Sequence, residues 1–164
     1  MRFLPRVLAT VLLALPLGVA AAVDVRYLQV DQYTDAGQRP LERRPSEALK
    51  RELTAEFQRL GQQYLAPGQE LSIEVLDLDL AGRFQWWDAS RGEVRVLDAV
   101  GWPRMRLQYR LTQGGRTLEQ GEARLSDQDY LGAVSGRRAD PLRYEKNMLG
   151  DWFRSRFGGG RQPG

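Results

Sequence analysis

The chain has 164 residues, with 24 basic and 21 acidic side chains and neither histidine nor cysteine. The lack of cysteine excludes disulfides, thiol nucleophiles and a lipid-modified N-terminal cysteine. The lack of histidine removes the commonest general base and the commonest metal ligand. Any chemistry must run on Asp, Glu, Tyr, Lys or Arg, and stability must come from an ordinary apolar core.

Residues 1–22 read as a cleavable signal peptide. Arg2 and Arg6 form a positive start, residues 7–17 an apolar stretch, and Pro16 and Gly18 interrupt it before Ala20-Ala21-Ala22. An Ala-x-Ala pattern places the cut before Val23. Interrupted in this way, the stretch is too short to span a bilayer, which needs about 20 apolar residues. The expected product is periplasmic or secreted, with no membrane span and no lipid anchor after cleavage. Without Arg2 and Arg6 the remainder has 22 basic against 21 acidic residues, a net charge of +1, which argues against nucleic acid as a partner.

Residues 23–30 alternate as a first strand, with Val23, Val25 and Tyr27 on one side. A polar loop over 31–45 follows. Ser46 then caps a helix to about Leu65, whose face is Leu49, Leu53, Phe57, Leu60 and Tyr64. Leu71, Ile73 and Val75 alternate as a second strand, but the apolar phase slips at Val75-Leu76. A β-bulge there would keep Asp77 and Asp79 out of the core.

A second long loop spans 81–92, and a short strand 93–97. The strand over 102–112 turns Met105, Leu107, Tyr109 and Leu111 inward and Arg104, Arg106 and Arg110 outward. Gly114-Gly115 turns into a strand over 117–125. A loop with an odd number of residues sets Gly121, Ala123 and Leu125 opposite Tyr109, Leu107 and Met105. An even loop would set charged and polar residues there instead. The run 126–129 resembles a capping box opening a short helical turn, and 132–139 is a polar loop. Asp140 caps a last helix bearing Leu142, Leu149, Trp152, Phe153 and Phe157.

The expected fold is α+β: a two-layer sandwich with a mixed, mostly antiparallel sheet of four to five strands. Two main helices pack on one face, in the order β-α-β-β-β-β-α. The expected domains are 1–22 as signal peptide, 23–157 as one α+β unit and 158–164 as a disordered tail. With the first two strands parallel, the 31–45 loop, the 81–92 loop and the Gly114-Gly115 turn should share one end of the sheet. A ligand site belongs there.

Several stretches resemble one family of secreted bacterial proteins, catalogued as domain of unknown function 3016. They are Tyr33-Thr34-Asp35, the run from Leu76 to Phe84, Trp102-Pro103, Ser126-Asp127, the run from Asp140 to Lys146, and Met148 to Phe153. The resemblance implies export and a single domain. It implies no activity, so it supplies no catalytic residue.

Asp77 and Asp79 lie about 6–7 Å apart on one side of a strand, and with Glu74 or Asp88 they can be read as cation ligands or an acid/base pair. The plainer reading is solvent-facing aspartates partnered by Arg83, and no metal or other cofactor is expected. Phe84, Trp86 and Trp87 form an aromatic loop suited to a sugar or peptide chain. The arginine row of residues 104, 106 and 110 suits an anionic partner, or is neutralised by Glu119 and Glu122.

The residue inventory favours a non-enzymatic binding or scaffolding domain whose end loops take an envelope protein or cell-wall polymer. Tyr33, Asp35, Asp79, Arg83, Trp86 and Trp87 are its ligand-binding candidates. Two alternatives are a carboxylate-dependent cell-wall glycan hydrolase and a small inhibitor of an exported hydrolase. A deep cleft holding two carboxylates would favour the hydrolase, and Asp79 tied to Arg83 under an aromatic surface would favour binding. No catalytic residue is assigned.

Overall fold

The computed structural model of the chain describes residues 19–39, 42–84, 95–132 and 140–160. Trp86, Trp87, Asp88 and residues 1–18 lie outside the described residues. Strand β1 (Ala22–Tyr27) is followed by helix α1 (Glu47–Tyr64) and strand β2 (Gln69–Asp79). Short strands β3 (Arg83–Phe84) and β4 (Arg95–Val96) come next, then the long hairpin β5 (Arg104–Gln113) and β6 (Arg116–Ser126). Helix α2 (Arg143–Phe157) completes the fold.

The main sheet has the order β1-β2-β5-β6, with β1 parallel to β2 and the other neighbours antiparallel. β1 ends earlier than its sequence suggests because Gln29 adopts a left-handed conformation (φ 50°) and starts a 3-10 turn, Val30–Gln32. β3 and β4 pair only with each other, as a separate ribbon. The 81–92 segment is therefore not all loop, and the strand near 93–97 does not join the main sheet.

This changes the expected sorting of loops. With one strand fewer in the sheet, β5 pairs directly with β2, Asp79 facing Arg104 and Gln69 facing Gln113. The 31–45 loop and the 81–92 segment do leave from one end, but the Gly114-Gly115 turn sits at the other.

The slip in β2 is a bulge. Val75 faces Leu107 and Asp77 faces Arg106, which leaves Leu76 without a partner. Leu78 is buried as a result, while Asp77 and Asp79 face the open side. In the β5–β6 hairpin Tyr109 faces Gly121, Leu107 faces Ala123 and Met105 faces Leu125, the register burial demands. It is reached differently from the expected odd loop. Gly114 (φ 56°) and Gly115 (φ 79°) make a two-residue turn of the primed kind, and a second bulge then leaves Leu118 unpaired and exposed. The Tyr109 ring lies over Gly121, where an added Cβ would meet its hydroxyl at 3.5 Å.

Both helices cover the same face. Leu49, Leu53, Phe57 and Leu60 of α1 share one core with Leu149, Trp152, Phe153 and Phe157 of α2 and with the inward residues of β2 and β5. Ser46 caps α1 by accepting from Leu49 N–H at 3.1 Å. At the other end, Gly158–Gly160 adds a 3-10 turn to α2 where the chain was expected to leave the fold, since Gly158 keeps helical angles and its N–H reaches Arg154 O. Ser126 is the last residue of β6, and residues 128–132 form turns without a helix.

The α1–β1 contact depends on Gly61, whose Cβ would fall 2.2 Å from Val23 Cγ2. A Gly61→Val substitution is expected to cost about 1–3 kcal/mol by overpacking, read as a lower urea midpoint with an unchanged slope.

Candidate functional site

The site is assembled where β1, β2 and β6 end and both helices begin. Past β1, residues 33–35 run alongside the end of β2 as a short substitute for the missing strand. Asp35 N–H donates to Leu78 O at 3.1 Å, and Leu80 N–H donates back to Asp35 O at 2.8 Å, a parallel bridge between Asp35 and Asp79. Tyr33 is 0% exposed and donates its hydroxyl to Val75 O at 2.9 Å. Burial pushes its phenol far above the usual range. Tyr33 is a strut beneath the site, and its ring is part of the core.

Asp77 holds this segment in place. Its Oδ1 accepts from Thr34 N–H at 2.7 Å and from Leu78 N–H at 2.9 Å, and its Oδ2 accepts from Thr34 Oγ1 at 2.8 Å. The carboxylate is therefore occupied by the fold. Asp77→Ala should free Thr34 and Asp35, cost about 1–3 kcal/mol, and appear as faster hydrogen exchange at those two amides.

Asp79 lies directly across from Arg104, 3.5 Å away. Burial raises its pKa, and the charges of Asp35 and Asp77 add to that, against the pull of Arg104 and Arg95. The expected partner, Arg83, is elsewhere. Gly82 (φ 75°) turns the chain away from the sheet edge, and Arg83 Nε donates to Asp98 Oδ2 at 2.8 Å instead. Of the six residues expected from sequence, the structure thus brings Asp35 and Asp79 together, places Tyr33 under them and sets Arg83 apart. Trp86 and Trp87 lie outside the described residues.

Sequence reasoning missed the residues that organise this end. Arg95, on β4, donates Nη1 to Gly82 O at 2.6 Å, and its Nη2 lies 2.6 Å from Asp35 Oδ1 as an ion pair without hydrogen-bond alignment. Its guanidinium also covers the Phe84 ring at 4.9 Å. Glu145 on α2 is 1% exposed. Its Oε1 accepts from Ala81 N–H at 2.7 Å, while Oε2 has no partner. Burial raises its pKa, opposed by the Ala81 hydrogen bond and by the Arg95 charge. A signal was present: Leu142, Glu145, Leu149 and Trp152 fall on one helical stripe, so Glu145 occupies an apolar position.

Asp98 organises the loop ahead of β5. It accepts from Val100 and Gly101 N–H at 3.0 and 2.8 Å as well as from Arg83, and these bonds, the one from Gly101 first, hold its carboxyl below the usual range. Tyr130 clamps the same loop by donating to Asp98 O at 2.7 Å. Lys146 on α2 joins the two helices by donating to Glu52 on α1 at 2.6 Å, and it also donates to Asp140, just ahead of α2, at 2.7 Å.

The arginine row of β5 is not neutralised in the expected way. The bulge at Leu118 sets Glu119 opposite Leu111, where it accepts from Tyr109 at 2.6 Å and pairs with Arg156. Glu122 pairs with Arg124 at 3.2 Å. Arg104 is held by Asp79 and by the Trp102 ring at 4.3 Å, and Arg106 and Arg110 have no ion pair among the described residues. Among those residues no three carboxylates converge as a metal site.

A family model described as "Protein of unknown function (DUF3016)" matches residues 21–155, from the start of β1 nearly to the end of α2. The chain belongs to this family. Among curated proteins and among solved structures, none matches it. No helix among the described residues is long and apolar enough to cross a membrane.

Proposed function

We propose that this protein is a non-enzymatic binding or scaffolding domain of the cell envelope, taking an envelope protein or a cell-wall polymer on its end loops. The envelope setting rests on the signal peptide read in residues 1–22. The observation that carries the reading is a fixed apolar tip. Val100 (60% exposed) and Leu131 (50% exposed) stand out with Leu97 from turns that Asp98 and Tyr130 lock together. Exposed apolar side chains on a pre-ordered loop bind without the cost of ordering that loop.

The hydrolase alternative draws on Asp79, whose pKa burial raises. Its second carboxylate, Asp77, is already consumed by three hydrogen bonds, which weakens that reading.

The test uses the wild-type chain and a Val100→Glu, Leu131→Glu double variant as bait in an envelope extract and on purified peptidoglycan. One partner or polymer retained by wild type and lost by the variant is expected. Equal retention by both baits, or none by either, would overturn the proposal.

A further inference from the structure

A cavity of about 290 Å³ opens between the starts of the two helices and the end of β2. Leu49, Leu80, Phe84 and Leu142 give it apolar walls, and Arg95 and Glu145 are its charged ones. Its volume is close to the smallest that small-molecule sites usually have, and its make-up, mostly apolar with a few polar groups, is the usual one.

Three polar atoms of this wall are buried without a hydrogen bond: Glu145 Oε2, Arg95 Nε and Arg95 Nη2. The last of these is ion-paired with Asp35, which leaves Glu145 Oε2 and Arg95 Nε to be accounted for. Each such atom normally costs stability and demands an explanation. One is an acceptor or, when the carboxyl is protonated, a donor. The other is a fixed donor. A charged ligand is disfavoured at either end, since an amine meets the Arg95 guanidinium and a carboxylate meets Glu145. A hydroxyl suits both, because it can donate to a carboxylate, accept from a carboxylic acid, and accept from Nε–H.

We propose that this cavity is a binding site for a small neutral ligand with an apolar body and one hydroxyl, which Glu145 and Arg95 recognise. The site is distinct from the loop tip, so the two proposals stand or fall separately.

Benzyl alcohol and its isostere ethylbenzene are the probes, titrated into the isotopically labelled full chain and followed by amide shifts. Saturable shifts centred on Leu80, Ala81, Leu142 and Glu145 are expected, with benzyl alcohol preferred about tenfold, the worth of one hydrogen bond to a charged group. Glu145→Leu should erase that preference by admitting ethylbenzene equally well. Should this variant not fold, the wild-type comparison decides alone. Equal affinity for the two probes in wild type, or no saturable shift at those amides, overturns the inference. So does a crystal soaked in benzyl alcohol that shows only an ordered water between Glu145 and Arg95. The Val100→Glu, Leu131→Glu variant should keep the benzyl alcohol shifts, which separates failure of the cavity from failure of the loop tip.

Discussion

Replacing Phe153 by alanine is expected to remove about 3–5 kcal/mol of stability, a large part of what a domain of this size possesses. Phe153 is 0% exposed and sits at the centre of an aromatic cluster. Its ring centroid lies 5.1 Å from Trp152, 5.3 Å from Phe157 and 6.3 Å from both Phe57 and Tyr64. The contacts to Phe57 and Tyr64 fasten α2 to α1, so the loss combines transfer free energy, a cavity and a weakened helix pair. With no disulfide to hold the chain, nothing covalent compensates. Urea unfolding followed by tryptophan fluorescence should show the midpoint falling steeply. A loss below about 1 kcal/mol would mean that the cluster collapses around the gap, and the helices are not joined through this ring.

The elements that carried strong periodicity were legible in the sequence. The α1 face and its Ser46 cap, the bulge after Val75, and the pairing of Tyr109 with Gly121 all follow from which residues must be buried. In the β5–β6 hairpin a two-residue turn and one bulge achieve what a single odd loop was expected to do. A short strand was read over 93–97, where β4 lies, but β3 and its pairing with β4 were not legible, because a strand of two residues has no alternation to read. That one miss moved the Gly114-Gly115 turn to the wrong end of the sheet.

The candidate site shows the same division. Asp35 and Asp79 meet because the parallel pairing of β1 with β2 brings the chain after β1 alongside the end of β2. Partner choice was beyond reach. Asp79 faces Arg104 through strand register, and Arg83 is diverted to Asp98 by a left-handed glycine. Arg95 lies within the short strand read over 93–97, but nothing in the pattern says that it ties Asp35 to the turn after β2. Glu145 was readable as a charge on an apolar stripe, but only the fold shows what it costs and what it holds.

That cost gives a prediction with an unusual sign. Glu145→Gln is expected to stabilise the protein at neutral and higher pH. Gln retains an oxygen to accept from Ala81 N–H, and it removes a carboxyl that is 1% exposed and unpaired at Oε2. The Glu145 pKa is raised in the folded chain by burial, so the folded state binds its proton more tightly than the unfolded state does. Wild-type stability should therefore fall as pH rises from the ordinary Glu value of about 4.3 through the higher folded value. Below that window both states are protonated and the two proteins should match. Above it the gap is constant, about 1.4 kcal/mol for each tenfold difference in proton affinity. Asp79 and Asp127 are also raised and Asp98 is lowered, but all three titrate alike in both proteins and cancel in the difference. Urea unfolding of the pair across this range is the measurement. A gap that does not change with pH would leave Glu145 without a part in it. A gap that grows in favour of wild type at high pH would mean that the Arg95 charge outweighs desolvation, and Glu145 would then be an ion-pair partner rather than a buried acid.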